Sequence, residues 1–86
     1  MPIVTMYATH TCHFCQQALR WLAEHPDLAH SVDVLFVDAN EAARDAFHTR
    51  GFRGVPTFVM ETESWSGWDP ARLTRVLEAQ VVIDAP

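Results

Sequence analysis

Cys12 and Cys15 are the only two cysteines of the chain, and His13 and Phe14 separate them. Two thiols at this spacing can close into a disulfide and reopen, which is two-electron chemistry. The same sulfurs could instead help to hold zinc or copper. Where the pair sits decides between these uses. An apolar, β-branched run, Ile3-Val4-Thr5-Met6-Tyr7, comes just before it, and a helix-like stretch from Gln16 to Glu24 just after it. A Cys-x-x-Cys at a strand-to-helix junction is a redox signal. Cys12 then takes the helix N-terminus, where unpaired backbone N–H groups and the helix dipole favour a thiolate. Cys15 falls one turn inside the helix, within disulfide reach and better shielded. The expected roles are Cys12 as nucleophile and Cys15 as the resolving sulfur. His13 is a candidate tuning residue, because an imidazolium beside the pair would favour the thiolate. His10, Cys12, His13 and Cys15 make a four-ligand set on paper. Structural zinc sites, however, usually draw their second ligand pair from a distant segment, so no metal is expected.

The elements that must position this pair can be read in order. Ile3 to Ala8 predicts a first strand covered on both faces. Cys15, Ala18, Leu19 and Leu22 recur at helical spacing behind it, with Trp21 beside the stripe. Pro26 ends that helix, and 26–31 reads as a connection. Val32 to Asp38 predicts a second buried strand, parallel to the first if the helix crosses between them. Asn40 suits an N-cap for a second helix with Ala43, Ala46 and Phe47 on its apolar face, and Gly51 suits a left-handed C-cap. Thr57 to Glu61 predicts a third strand. Glu61-Thr62-Glu63 turns into a short fourth strand at Ser64-Trp65, which so tight a link makes antiparallel. Asp69 or Gly67 opens a last helix with Pro70 in its first turn, and Leu73, Val76, Leu77 and Val81 give that helix one apolar face. The predicted order is βαβαββα, an α/β fold with a four-stranded mixed sheet flanked by three helices.

A second chemical signal lies at Val55-Pro56-Thr57. Proline takes a cis peptide bond at modest cost and cannot donate to a strand ladder. Between a helix and a strand, downstream of a Cys-x-x-Cys, a cis-Pro56 would shape a groove beside the cysteines. Val55 would offer its backbone N–H and C=O there to an extended substrate segment. Arg53 is a candidate cation in the same loop. Trp65 and Trp68, flanking Ser66-Gly67, are candidate anchors for a partner protein.

Composition narrows the field. The 86 residues predict a single domain, 1–86, and a hydrophobic content of 49% is enough for a core. A net charge of −5 with no basic stripe argues against nucleic-acid binding. No stretch reaches the ~20 apolar residues of a membrane span, and the first residues do not read as a signal peptide. A cytoplasmic monomer is the expectation. In that compartment a close cysteine pair is catalytic or metal-binding more often than structural.

The element order, Cys12-His13-Phe14-Cys15 and Val55-Pro56-Thr57 together resemble the glutaredoxin branch of the thioredoxin superfamily. Gly51-Phe52-Arg53 with Pro56, followed by Trp65-Ser66-Gly67-Trp68, is similar more specifically to the NrdH-redoxins. The resemblance spans nearly the whole chain. It implies a thioredoxin-like fold, a redox-active Cys12–Cys15 disulfide, a cis-Pro56 and no bound cofactor. It also implies electrons received from thioredoxin reductase and passed to a class Ib ribonucleotide reductase or another disulfide protein. Trp68 stands where those proteins carry Phe. Val55-Pro56-Thr57 is closer to glutaredoxins and mycoredoxins. A glutathione-dependent reductase is therefore the alternative partner reading, although Thr9 occupies the place of the Lys or Arg usual in glutaredoxins. The binding-class rival is a zinc or copper module.

Overall fold

Alternation along the first strand sets the architecture. In the computed structural model, which describes residues 3–84 and side chains for residues 3–79, β1 (Val4–Ala8) sends Val4, Met6 and Ala8 into one core cluster and Tyr7 into another. Successive side chains of a strand point to opposite faces, so a strand apolar on both must lie between two layers. The first cluster packs against α1 (His13–Glu24), through Cys15, Ala18 and Leu22, and α4 (Pro70–Asp84), through Leu73 and Leu77. The second packs against α3 (Glu41–Thr49), through Ala43 and Phe47.

The remaining strands complete a four-stranded sheet in the order β2-β1-β3-β4. β2 (Val32–Phe36) runs parallel to β1. β3 (Thr57–Val59) is antiparallel to β1, and β4 (Ser64–Ser66) is antiparallel to β3. The parallel pair leaves the C-terminal ends of β1 and β2 together. The antiparallel pairing brings the start of β3 to that same end, with Tyr7 opposite Thr57.

Three elements differ from expectation. β2 is half-buried, because it pairs on one side only and forms a sheet edge. The connection after Pro26 contains a one-turn helix, α2 (Pro26–Ala29), with Leu28 buried. Proline's fixed φ suits a first helical position, so Pro26 both ends α1 and opens α2. On α3, Ala46 is exposed; a helix of 9 residues touches the sheet through Ala43 and Phe47, one turn apart. The side chain of Val81 lies outside the described residues.

The caps follow the sequence closely. Asn40 Oδ1 accepts the Ala43 N–H at 3.0 Å. At the other end of α3, Gly51 has φ 81°. The Gly51 N–H donates to the His48 carbonyl at 2.9 Å, and the Phe52 N–H to the Phe47 carbonyl at 3.2 Å. That is a Schellman closure, and its accompanying apolar contact is Phe47 against Phe52, ring centroids 5.7 Å apart. A Cβ at Gly51 would meet nothing within 4 Å, so only the backbone resists a side chain there. Gly51→Ala should cost about 1–2 kcal/mol, read as a lower urea midpoint at unchanged m value.

Candidate active site

Cys12 is the N-cap of α1, with φ −82° and ψ 122°. Its carbonyl accepts the first helical hydrogen bond, from the Gln16 N–H at 3.0 Å. Its side chain does what serine or aspartate does at other caps: Sγ accepts the Cys15 N–H at 3.1 Å. An N–H aimed at sulfur interacts more strongly with a thiolate than with a thiol. The sulfur is half-buried. As a thiol it also donates to the Val55 carbonyl at 3.6 Å, a contact spanning 43 residues of sequence. The Val55–Pro56 peptide bond is cis. The loop before β3 therefore reaches the sulfur at the start of α1.

Cys15 is fully buried, one turn deeper. Its thiol is pushed up from the ordinary 9.0 to about 12. Burial is the main cause, followed by the hydrogen bond with Cys12 and then the charges of Cys12 and Asp38; the Thr9 backbone opposes them. Between pH 9 and 12 the folded chain keeps this proton while the unfolded chain has lost it. The resulting stabilisation is fully present below about pH 9 and is lost as pH rises toward 12, at up to about 1.4 kcal/mol per pH unit. The reduced protein's urea midpoint should therefore fall faster above pH 9 than that of Cys15→Ser. Parallel curves would sink the argument.

The surrounding residues divide into presented and internal ones. Phe14, between the cysteines, is 54% exposed. His13 is exposed, and its ring Nε2 lies 3.0 Å from Gln17 Nε2; no hydrogen bond joins it to either sulfur among the described residues. Arg53 is exposed, while Val55 is half-buried. Thr57, expected at the groove, has a fully buried side chain. Its hydroxyl donates inward to the Gly54 carbonyl and meets Ser66 Oγ at 2.8 Å. Gly67, with φ 100°, donates its N–H to the Pro56 carbonyl at 2.8 Å. Ser66-Gly67 thus lies directly against the cis-proline loop.

Both tryptophans of the flanking segment are half-buried. Trp65 stacks on Phe58 at 5.3 Å, and the Arg72 guanidinium lies over the Trp65 ring, 4.3 Å from its centroid. Trp68 meets Trp21 edge-on at 6.0 Å. Each indole has one part in the core and one part in solvent.

Sequence reasoning missed Asp38. It follows β2 and accepts the His10 backbone N–H at 2.9 Å. That hydrogen bond first, and the His10 ring after it, hold the Asp38 carboxyl below its ordinary 3.8. A contact over 28 residues leaves no periodic signature, and only the prediction that the two strands are parallel neighbours could have pointed to it. The ring of His10 is taken up by Asp38 and by Phe36, on which it stacks at 4.0 Å. Among the described residues no three His, Cys, Asp or Glu side chains gather as a metal site, and no helix is long and apolar enough to cross a membrane.

A dithiol with one sulfur at a helix cap and one in the core is arranged for disulfide exchange. Comparison with known proteins gives the family and the fold. The family model described as Glutaredoxin matches residues 4–65. No curated protein matches the chain. Among solved structures, the glutaredoxin-like NrdH-redoxin from Escherichia coli is 26% identical, with a TM-score of 0.67, covering 85% of this chain and 92% of that one. Its structure is described as the basis of a thioredoxin-like activity profile. A glutaredoxin from Archaeoglobus fulgidus is 22% identical, TM-score 0.69, covering 90% of this chain and 87% of that one. Thioredoxin O2 from Arabidopsis thaliana, in its oxidised state, is 23% identical, TM-score 0.64, covering 88% and 71%. These last two likenesses establish the thioredoxin-like fold.

Proposed function

The chain belongs to the glutaredoxin family of thiol–disulfide oxidoreductases, and from that premise we propose that it is a small electron carrier that reduces protein disulfides through Cys12 and Cys15. The observation that carries this reading is the Cys12 sulfur itself, which caps α1, accepts the Cys15 N–H and touches the Val55 carbonyl of the cis-proline loop. The Cys12 thiolate attacks one sulfur of the substrate disulfide. The substrate S–S bond breaks, the other substrate sulfur leaves as a thiolate, and Cys12 is left in a mixed disulfide. Cys15 then gives its proton to solvent and attacks Cys12, forming the Cys12–Cys15 disulfide and expelling the second substrate thiolate. Two electrons have moved to the substrate, whose thiolates take up two protons. No bound cofactor is needed.

An extended substrate segment would lie along the half-buried Val55, with the fully buried side chain of cis-Pro56 behind it and Phe14 and Arg53 at its margins. The donor is NADPH-linked thioredoxin reductase, docking at Ser66-Gly67 and the exposed rims of Trp65 and Trp68, with His13 beside the dithiol as tuning residue. The acceptor is a disulfide protein of the class Ib ribonucleotide reductase kind. Support comes from Gly51-Phe52-Arg53 and Trp65-Ser66-Gly67-Trp68, and from the likeness to an NrdH-redoxin. A carrier recharged in this way belongs in the cytoplasm, and a monomer suffices.

Glutathione is the competing donor. Arg53 is the observation in its favour, an exposed cation in the loop that reaches Cys12 and a natural partner for a carboxylate of the tripeptide. One assay separates the two. NADPH oxidation is followed with thioredoxin reductase, and in parallel with glutathione and glutathione reductase, using a protein disulfide as acceptor. Turnover should appear in the thioredoxin reductase arm. A response confined to the glutathione arm would overturn the donor assignment and leave the dithiol chemistry standing.

A further inference from the structure

Outside the cysteine pair and the cis-proline loop lies a pair of titratable side chains that takes no direct part in the exchange steps: His10 and Asp38. His10 lies in the turn between β1 and α1, and Asp38 just beyond β2. Asp38 Oδ2 accepts the His10 backbone N–H at 2.9 Å. The His10 ring Nδ1 sits 3.0 and 3.1 Å from the two carboxylate oxygens. The ring lies flat on Phe36, 16° from parallel. On its other side, the His10 carbonyl accepts the Gln16 side-chain amide at 2.9 Å. Both backbone groups of His10 are thus held, one by the end of β2 and one by the first turns of α1.

The His10 side chain is 56% exposed and that of Asp38 34%. A pairing this open to water adds little to global stability. What it restrains is the residue two before Cys12. The cap works only if the turn delivers Cys12 to α1 with its sulfur facing the Cys15 N–H.

We propose that Asp38 and His10 are positioning residues for the dithiol: the Asp38 carboxylate, holding His10 by backbone N–H and ring, fixes the turn that presents Cys12 at the start of α1. This rests on Cys12 being the attacking sulfur. The hydrogen bonds of Asp38 keep the cap aligned, and its negative charge is among the influences that hold the Cys15 proton on. Asparagine keeps an oxygen for the His10 N–H and removes the charge, whereas alanine removes both.

The test compares wild type, Asp38→Asn and Asp38→Ala. Iodoacetamide labelling of Cys12 at neutral pH is followed by mass spectrometry, and reduction potential is measured against a dithiothreitol redox buffer. Asp38→Ala should label about fivefold more slowly, the equivalent of one hydrogen bond lost, and become more reducing. Asp38→Asn, which keeps an oxygen for the His10 N–H, should label at close to the wild-type rate. Urea midpoints of all three should stay close. Equal labelling in all three, or slowing of both variants alike, overturns the proposal. If Cys12 of the wild type labels no faster than Cys15, the assignment of the nucleophile beneath it fails instead.

Discussion

Replacing Cys12 with serine is expected to bring disulfide reduction down to the uncatalysed background, a loss of at least about a thousandfold. A serine hydroxyl does not ionise near neutral pH and forms no stable bond to a substrate sulfur, so the first exchange has no nucleophile. The fold should not suffer. Position 12 is the N-cap of α1, and serine is among the residues best suited to accept the N–H that Cys12 now accepts. The variant should melt at or above the wild-type temperature, with a gain of up to about 1 kcal/mol. Activity and stability therefore move apart, which a merely structural cysteine would not allow. The check is dithiothreitol-driven turnover of a protein disulfide beside a thermal melt. Retained turnover would remove the basis for the mechanism.

Cys15→Ser should fail differently. The first exchange proceeds, release does not, and the mixed disulfide accumulates at one substrate per protein, visible on a non-reducing gel. Steady-state turnover of a protein disulfide should fall to a few per cent or less, on the order of a hundredfold. The wild-type release step should accelerate with pH, by up to about tenfold per unit, because a buried thiol must first lose its proton. Two of the influences that keep Cys15 protonated come from Cys12, through a hydrogen bond and through charge. Both weaken once Cys12 is bonded to substrate sulfur. The resolving thiol is then easier to ionise at the moment it is required. Full turnover of Cys15→Ser with glutathione present would mean that a small thiol performs the release.

Much of this architecture was legible because its signals are local. Apolar alternation in Val4–Ala8, the helical stripe behind Cys15, the Asn40 cap and the left-handed Gly51 each lie within a few residues of what they determine. The cis bond at Val55–Pro56 was legible as what the family resemblance implies; its place between a helix and a strand allowed it without fixing it. The one-turn helix at Pro26–Ala29 was not, because a proline that stops one helix gives no sign that it starts another. Nor was the inward turn of Thr57, whose hydroxyl is drawn to Gly54 and Ser66 across a strand pairing. Asp38 was hidden for the same reason: its role depends on where the end of β2 meets the turn before Cys12. Half-burial of Trp65 and Trp68 likewise depends on Phe58, Trp21 and Arg72, which come from three other elements.

The Cys12 sulfur has neighbours from its own helix and from a loop 43 residues downstream, and the turn before it is tied through His10 to the residue just beyond β2. A synthetic peptide of residues 9–24 would carry both thiols at the same spacing and none of that company. Cut loose, a helix of ~12 residues is marginal in water, so its first turn would rarely exist to receive the sulfur. Such a fragment should behave as an ordinary dithiol, and grafting the four-residue sequence onto a foreign scaffold would transplant the letters without the reactivity.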